Sequence, residues 1–234
     1  MANLITAGRI LLLFVAVALL YSDTYLLIFL SGILIAVVIL ADGLDGWVAR
    51  RRKSTSELGA VLDIAGDRVV ENVLWVVFAH LHLIPVWVPL VVITRSFIVD
   101  VVRAAMLSRG MTPFGENTMM RSSLSRFLTS GRFSRAYYGW SKGFAFVLLA
   151  WMHAWELDPD RFLGAAYDTG AFHGIVWFIV YSSVAICVIR GLPVLYDALY
   201  YFREDEESAA AAVEELSTDL DVTAEQAERG GSIS

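Results

Sequence analysis

Six apolar runs, at about residues 4–21, 25–41, 68–83, 86–107, 143–155 (extended backward) and 172–190, each reach or approach the roughly 20 residues a helix needs to cross a bilayer core. A chain with such runs has few ways to fold, because backbone groups in lipid must be satisfied within helices or a closed barrel. Runs of that length read as spanning helices, so the reading is all-α. It is a polytopic integral membrane protein with six transmembrane helices. Composition agrees: 57% of the residues are hydrophobic and 18% charged, against about 45–50% and about 25% in soluble domains. No basic region precedes the first run, which is therefore read as a retained span rather than a cleaved signal peptide. Short breaks at Ser22–Asp23–Thr24 and His82–Leu83–Ile84–Pro85 suit antiparallel helix hairpins. No internal repeat is visible.

The net charge of −6 argues against a nucleic-acid partner, but it is unevenly spread. Residues 203–234 hold ten acids and two bases, net −8, while residues 1–202 hold sixteen bases and fourteen acids, net +2. The chain divides into a six-helix membrane catalytic domain, 1–202, and an acidic cytoplasmic tail, 203–234, whose composition reads as disorder or a loose helix. An alternating path puts Arg9, the run Arg50–Arg51–Arg52–Lys53 and the basic loop 108–142 on one side. By the positive-inside rule that side is cytoplasmic, with both termini. Trp87, Trp151 and Trp155 fall near the opposite boundary, as an aromatic belt or as packed bulk. The lone Cys187 excludes a disulfide framework and a cysteine zinc site. His80, His82, His153 and His173 lie toward the outer side and are read as interfacial.

Acids inside membrane spans are expensive and mark function. Asp42 and Asp45 close the second run, and Asp63 and Asp67 open the third. Spaced three and four apart, each pair projects from one helical face. Four neighbouring carboxylates need a counter-charge, and oxygen-only ligands favour Mg²⁺, Mn²⁺ or Ca²⁺ over zinc. Two ions are plausible for paired carboxylates on two helices. Gly43, Gly46, Ala49, Gly59, Ala60, Ala65 and Gly66 would leave room for a diphosphate, and the basic run from Arg50 would add phosphate-binding charge.

From Asp42 the chain reads D-G-L-D-G-W-V-A-R, then eight residues, then G-A-V-L-D-I-A-G-D ending at Asp67. This resembles the signature of the CDP-alcohol phosphatidyltransferases, D-x-x-D-G-x-x-A-R…G-x-x-x-D-x-x-x-D. Asp42, Asp45, Gly46, Ala49, Arg50, Gly59, Asp63 and Asp67 fill its eight positions. The resemblance implies transfer of a phosphatidyl group from CDP-diacylglycerol to the hydroxyl of a second alcohol, with release of CMP. It implies that Asp42, Asp45, Asp63 and Asp67 hold two Mg²⁺ or Mn²⁺ ions. Gly46, Ala49, Arg50, Ser56 and Gly59 would line the CDP-lipid site, and Asp67 would double as general base. Asn3, Thr6 and Arg9, spaced N-x-x-T-x-x-R, are similar to the family's N-terminal segment, which helps cover the nucleotide; an N-cap residue and an interfacial arginine are the alternative. A homodimer is implied by the resemblance alone.

Arg95 and Arg103, with Asp100 between them, share one broad face of the fourth run. Turned inward, they would suit an acceptor bearing a phosphate, and Lys142 would add charge. Arg95 with Asp100 as a structural ion pair is the alternative. The segment from Arg95 is similar to that of phosphatidylglycerophosphate synthases, departing at Ser96, where those enzymes usually have an acid. Glu71, four residues after Asp67, would serve the site or pair with Arg68. The expected acceptor is glycerol 3-phosphate, in phospholipid synthesis at the cytoplasmic face of the cell membrane. Inositol phosphate, serine or another alcohol is the alternative. A cation transporter is a remote one that leaves the glycine, alanine and arginine positions without a purpose.

Overall fold

A computed structural model of the chain describes the backbone of residues 2–52, 57–108, 131–160, 167 and 169–231, and the side chains of 6–41, 59, 61–108, 131, 134, 136–160, 167 and 169–204. Among the described residues all regular structure is helical, in six helices. In chain order these are α1 (Ala2–Leu20), α2 (Tyr25–Arg52), α3 (Glu57–His80), α4 (Trp87–Ser108), α5 (Arg132–Leu157) and α6 (Gly170–Gly231).

Local chemistry sets the ends of these helices. The Thr24 carbonyl accepts the Ile28 N–H at 3.1 Å, and the Ser22 hydroxyl accepts the Thr24 N–H at 3.3 Å, so the polar break starts α2 within a few residues of the end of α1. At the end of α3 the Leu83 N–H reaches the Phe78 carbonyl at 3.0 Å and the His82 N–H reaches Ala79 at 3.1 Å. This is a Schellman ending; His82 takes its left-handed position, with φ at 59°. Leu83 and Ile84 are buried beneath the turn.

Helix α1 packs on α2 and α3, α2 on α5, α5 on α6, and α4 on both α3 and α6. Buried positions recur at intervals of three and four: Leu13, Ala16 and Leu20 on α1, Ile28, Ser31, Ile35 and Val38 on α2, and Val70, Glu71, Leu74, Trp75 and Phe78 on α3. That spacing gives each helix one inward stripe. At the centre Trp75 meets the edge of Phe146 with ring centroids 4.7 Å apart. A smaller cluster joins Val99 and Met106 of α4 to Val194 and Ala198 of α6.

The outward faces are apolar too. Leu11, Leu26, Leu90, Phe97, Phe178 and Leu192 are all exposed, and an exposed apolar surface of this extent belongs against another apolar phase. Among the described residues one helix, Gly170–Glu204, is by itself long and apolar enough to cross a membrane; Thr6–Leu20 and Tyr25–Ala41 are shorter apolar helices. Charge interrupts the others, with Asp63, Asp67, Arg68 and Glu71 in α3 and Arg95, Asp100 and Arg103 in α4.

Two expectations change in detail. Both acid pairs lie inside longer helices, since α2 continues to Arg52 and α3 begins at Glu57. Trp155 packs inside rather than facing lipid: it is buried, with Phe172 at 5.4 Å, while Trp151 stacks on Phe29 at 5.3 Å. Beyond Arg203 the acidic segment has helical backbone to Gly231, continuous with the apolar part of α6, as its Ala- and Glu-rich run favours.

Candidate active site

Gly66 lies between Asp63 and Asp67 on α3. A Cβ there would stand 2.8 Å from Thr6 Cγ2, so the missing side chain is what lets α1 approach this turn. The approach brings Arg9, buried on α1, to both acids: its Nη2 donates to Asp67 Oδ1 at 2.9 Å and its Nη1 lies 3.6 Å from Asp63 Oδ1. The two carboxylates are half exposed while the guanidinium is covered. Asp63 and Asp67 therefore address a single cationic point from one helical face, as their four-residue spacing requires.

One turn on, Glu71 is buried, accepts hydrogen bonds from Tyr138 and Lys142, and forms an ion pair with Arg68. The Tyr138 hydroxyl donates to its Oε1, Lys142 Nζ lies 3.1 Å from its Oε2, and Arg68 Nη1 lies 3.5 Å from the same oxygen. Lys142 Nζ and the Arg190 guanidinium also approach the Tyr138 ring, at 5.2 and 5.8 Å from its centroid. Arg68 turns its other nitrogen to α4, where Nη2 holds Asp100 Oδ1 at 2.8 Å, and Nη1 reaches Ser96 Oγ at 3.4 Å. Glu71 thus pairs with Arg68 and lines the same cavity as Asp67. Asp100 pairs with Arg68 and not with Arg95.

A cavity of about 650 Å³ opens beside this network. Arg9, Asp67, Glu71 and Lys142 form its polar lining, and Ile39, Leu40, Phe144, Val147, Leu148 and Trp151 belong to its apolar walls on α2 and α5. A molecule with a charged head and a hydrocarbon tail matches such a lining.

Arg95 and Arg103 stand elsewhere. Neither contributes to the cavity, and the structure does not group Lys142 with them. The stem of Arg95 lies across Gly191 of α6, and Arg103 is within electrostatic reach of Arg95, Asp100 and Arg68. The Nε atoms of both arginines are buried without a hydrogen-bond partner among the described residues.

Of the other sequence candidates, Thr6 is buried at the α1–α3 contact, and Gly59 lies in the first turns of α3. Asp42, Asp45, Gly46, Ala49 and Arg50 lie on the helical backbone of α2 and Asn3 on that of α1, with side chains outside the described residues, as is the whole of Ser56. Among the described residues no group of three or more His, Cys, Asp or Glu could hold a metal. The described half of the expected donor set nevertheless fits a divalent ion. Asp63 and Asp67 offer oxygen ligands of the kind Mg²⁺ and Mn²⁺ prefer, and they already share one cation, Arg9. The reading from sequence missed the Arg9 bridge, the Tyr138 contact, the buried Asp197 and the half-buried Arg190 of α6. Arg9 carried a signal, a charge in an apolar run; Tyr138 carried none.

The model of the CDP-alcohol phosphatidyltransferase family matches residues 1–188. Proteins named "Putative cardiolipin synthase" from Mycobacterium bovis and Mycobacterium tuberculosis are 26% identical over 161 residues, covering 66% of this chain and 68% of theirs.

Proposed function

The chain belongs to the CDP-alcohol phosphatidyltransferase family, and from that premise we propose that it transfers the phosphatidyl group of CDP-diacylglycerol to glycerol 3-phosphate, releasing CMP. Membership makes it a membrane-associated enzyme of phospholipid head-group transfer, in a family that takes a CDP-alcohol and an alcohol acceptor and is generally dependent on a divalent metal. The acceptor, the six crossings, the cytoplasmic placement of site and termini, the homodimer and the division into a catalytic domain (1–202) and a tail (203–234) are the finer parts of the reading.

The observation that carries it is the cavity, where Asp67 and two cations meet walls of aliphatic and aromatic side chains. The liponucleotide combines those two chemistries in one molecule. Asp42, Asp45, Asp63 and Asp67 would hold Mg²⁺ or Mn²⁺, which when bound supplies positive charge to the diphosphate. Asn3, Thr6, Gly46, Ala49, Arg50, Ser56 and Gly59 would line the CDP-lipid site. Asp67 would accept the proton of the acceptor hydroxyl as its oxygen bonds to the lipid-side phosphorus and the bond from that phosphorus to CMP breaks. Arg95 and Arg103 carry buried Nε donors that no group among the described residues satisfies, which supports an acceptor bearing a phosphate. Lys142, held by Glu71, is better placed for the diphosphate end of the cavity than for that acceptor.

The relatives' name supports a second reading. Cardiolipin carries two phosphatidyl groups on one glycerol, so its synthesis from CDP-diacylglycerol would use phosphatidylglycerol as the alcohol. Both acceptors would present a glycerol phosphate to Arg95 and Arg103. The test is CMP release by purified protein with CDP-diacylglycerol, Mg²⁺ or Mn²⁺ and a panel of glycerol 3-phosphate, phosphatidylglycerol, inositol phosphate and serine. Turnover with glycerol 3-phosphate is expected. Turnover only with phosphatidylglycerol would establish the second reading, and folded protein that releases no CMP with any acceptor would overturn both.

A further inference from the structure

Gly191 lies within α6 two residues before Pro193, where a glycine weakens a helix relative to alanine and so asks for a packing reason. The reason is Arg95. A Cβ on residue 191 would stand 2.6 Å from Arg95 Nε, 3.0 Å from its Cγ and 3.3 Å from its Cδ. The methyl would collide with the middle of the side chain, and the guanidinium beyond Nε would have to move with it. The helices cannot simply part to make room. Val194 and Ala198 of α6 pack with Val99 and Met106 of α4 just beyond this point, all four buried.

We propose that Gly191 is the positioning residue for acceptor recognition: by presenting bare backbone to α4 it fixes the path of Arg95 across α6, and so sets where a phosphate on the acceptor is bound. The proposal rests on the reading of Arg95 and Arg103 as the acceptor's phosphate site. Three features agree with a bound anion there. The Nε atoms of both arginines are buried and without a hydrogen-bond partner among the described residues. The nearby acid Asp100 is engaged by Arg68 at 2.8 Å. Ser96, next to Arg95 in sequence, is buried and neutral. Gly191 touches no reacting atom in this scheme. Its effect passes entirely through the Arg95 side chain, so it governs acceptor affinity rather than the chemical step.

The test uses the full-length protein in detergent, with CDP-diacylglycerol saturating and the phosphorylated acceptor that supports CMP release. Gly191→Ala should raise the acceptor KM about tenfold or more, the loss expected when hydrogen bonds to a charged group are displaced, and leave kcat and the KM for CDP-diacylglycerol within about twofold. Arg95→Ala should raise the same KM. The double variant should match Arg95→Ala alone, because the atoms the methyl would strike are gone. Should Gly191→Ala not fold, the double variant should fold, for the same reason.

A Gly191→Ala enzyme with the parent acceptor KM, while Arg95→Ala raises it, would overturn the role of Gly191 and leave the acceptor reading standing. Additive effects in the double variant, or its failure to fold, would also overturn that role. An unchanged KM in Arg95→Ala, or CMP release only with unphosphorylated alcohols, would overturn the acceptor reading and this proposal with it.

Discussion

Replacing Glu71 by alanine should be among the most damaging single changes to the fold. Its carboxylate is 3% exposed and meets Lys142 at 3.1 Å, Arg68 at 3.5 Å and the Tyr138 hydroxyl. Removing it leaves Lys142 without its anion beside an apolar wall, while Arg68 keeps Asp100. Breaking a buried pair from one side costs about 3–5 kcal/mol, mostly because the surviving charge stays buried. At about 2–4 °C per kcal/mol for a chain of this size, the melting temperature should fall by about 6–20 °C. The assay is built into the chain, for its single cysteine, Cys187, is buried, and a thiol-reactive dye reports its exposure on heating. Glu71→Gln should fall between parent and Glu71→Ala, since it keeps an acceptor for Tyr138 but not the charge. Adding Lys142→Met to Glu71→Gln should recover part of the loss, because an apolar replacement of a buried pair is often nearly neutral. A Glu71→Ala melt within about 1 °C of the parent would refute this account of the network.

Arg9→Ala should tighten Mn²⁺ binding, read by spin resonance without substrate, by about tenfold, a fraction of the roughly 4 kcal/mol that a unit charge exerts at about 4 Å and an effective dielectric of about 20; weaker binding would show that Arg9 does not compete for the aspartates. Asp67→Asn keeps an oxygen acceptor for Arg9 but no base. It should abolish CMP release while leaving the fold intact, and retained turnover would end the assignment of Asp67 as base. Trp75→Ala removes a buried ring that meets Phe146 at 4.7 Å and should destabilise by about 3–5 kcal/mol; a loss under about 1 kcal/mol would mean the core refills the space.

Periodicity and spacing reveal what each helix presents, and that much was legible. The helical class, the breaks before α2 and before α4, and the pairing of Asp63 with Asp67 on one face all follow from residue intervals. What a helix presents its face to does not follow, because that depends on close approaches such as Gly66 on Thr6. The N-x-x-T-x-x-R spacing therefore places Arg9 only in the segment that covers the nucleotide, and the α1–α3 contact adds its pairing with two acids. Asp100 was weighed as a partner for Arg95, its neighbour in sequence, when Arg68 from α3 is the cation that reaches it. Lys142 was grouped with Arg95 and Arg103 by charge, though α5 carries it to Glu71 at the cavity. Tyr138 lies before the apolar run of α5, and nothing in its surroundings in sequence marks it as the donor to Glu71.

Asp67 and Arg68 are successive residues of α3, so their side chains leave the helix axis about 100° apart. One is tied to Arg9 of α1 and the other to Asp100 of α4. Neither can be turned without turning the other. With side-chain ends about 5–6 Å from the axis, a roll of about 10° would carry both by about 1 Å, one toward its neighbour and the other along its own. Helix α3 is in this sense a shaft with two cams, and alignment of the carboxylate at one side of it sets the timing of the guanidinium at the other.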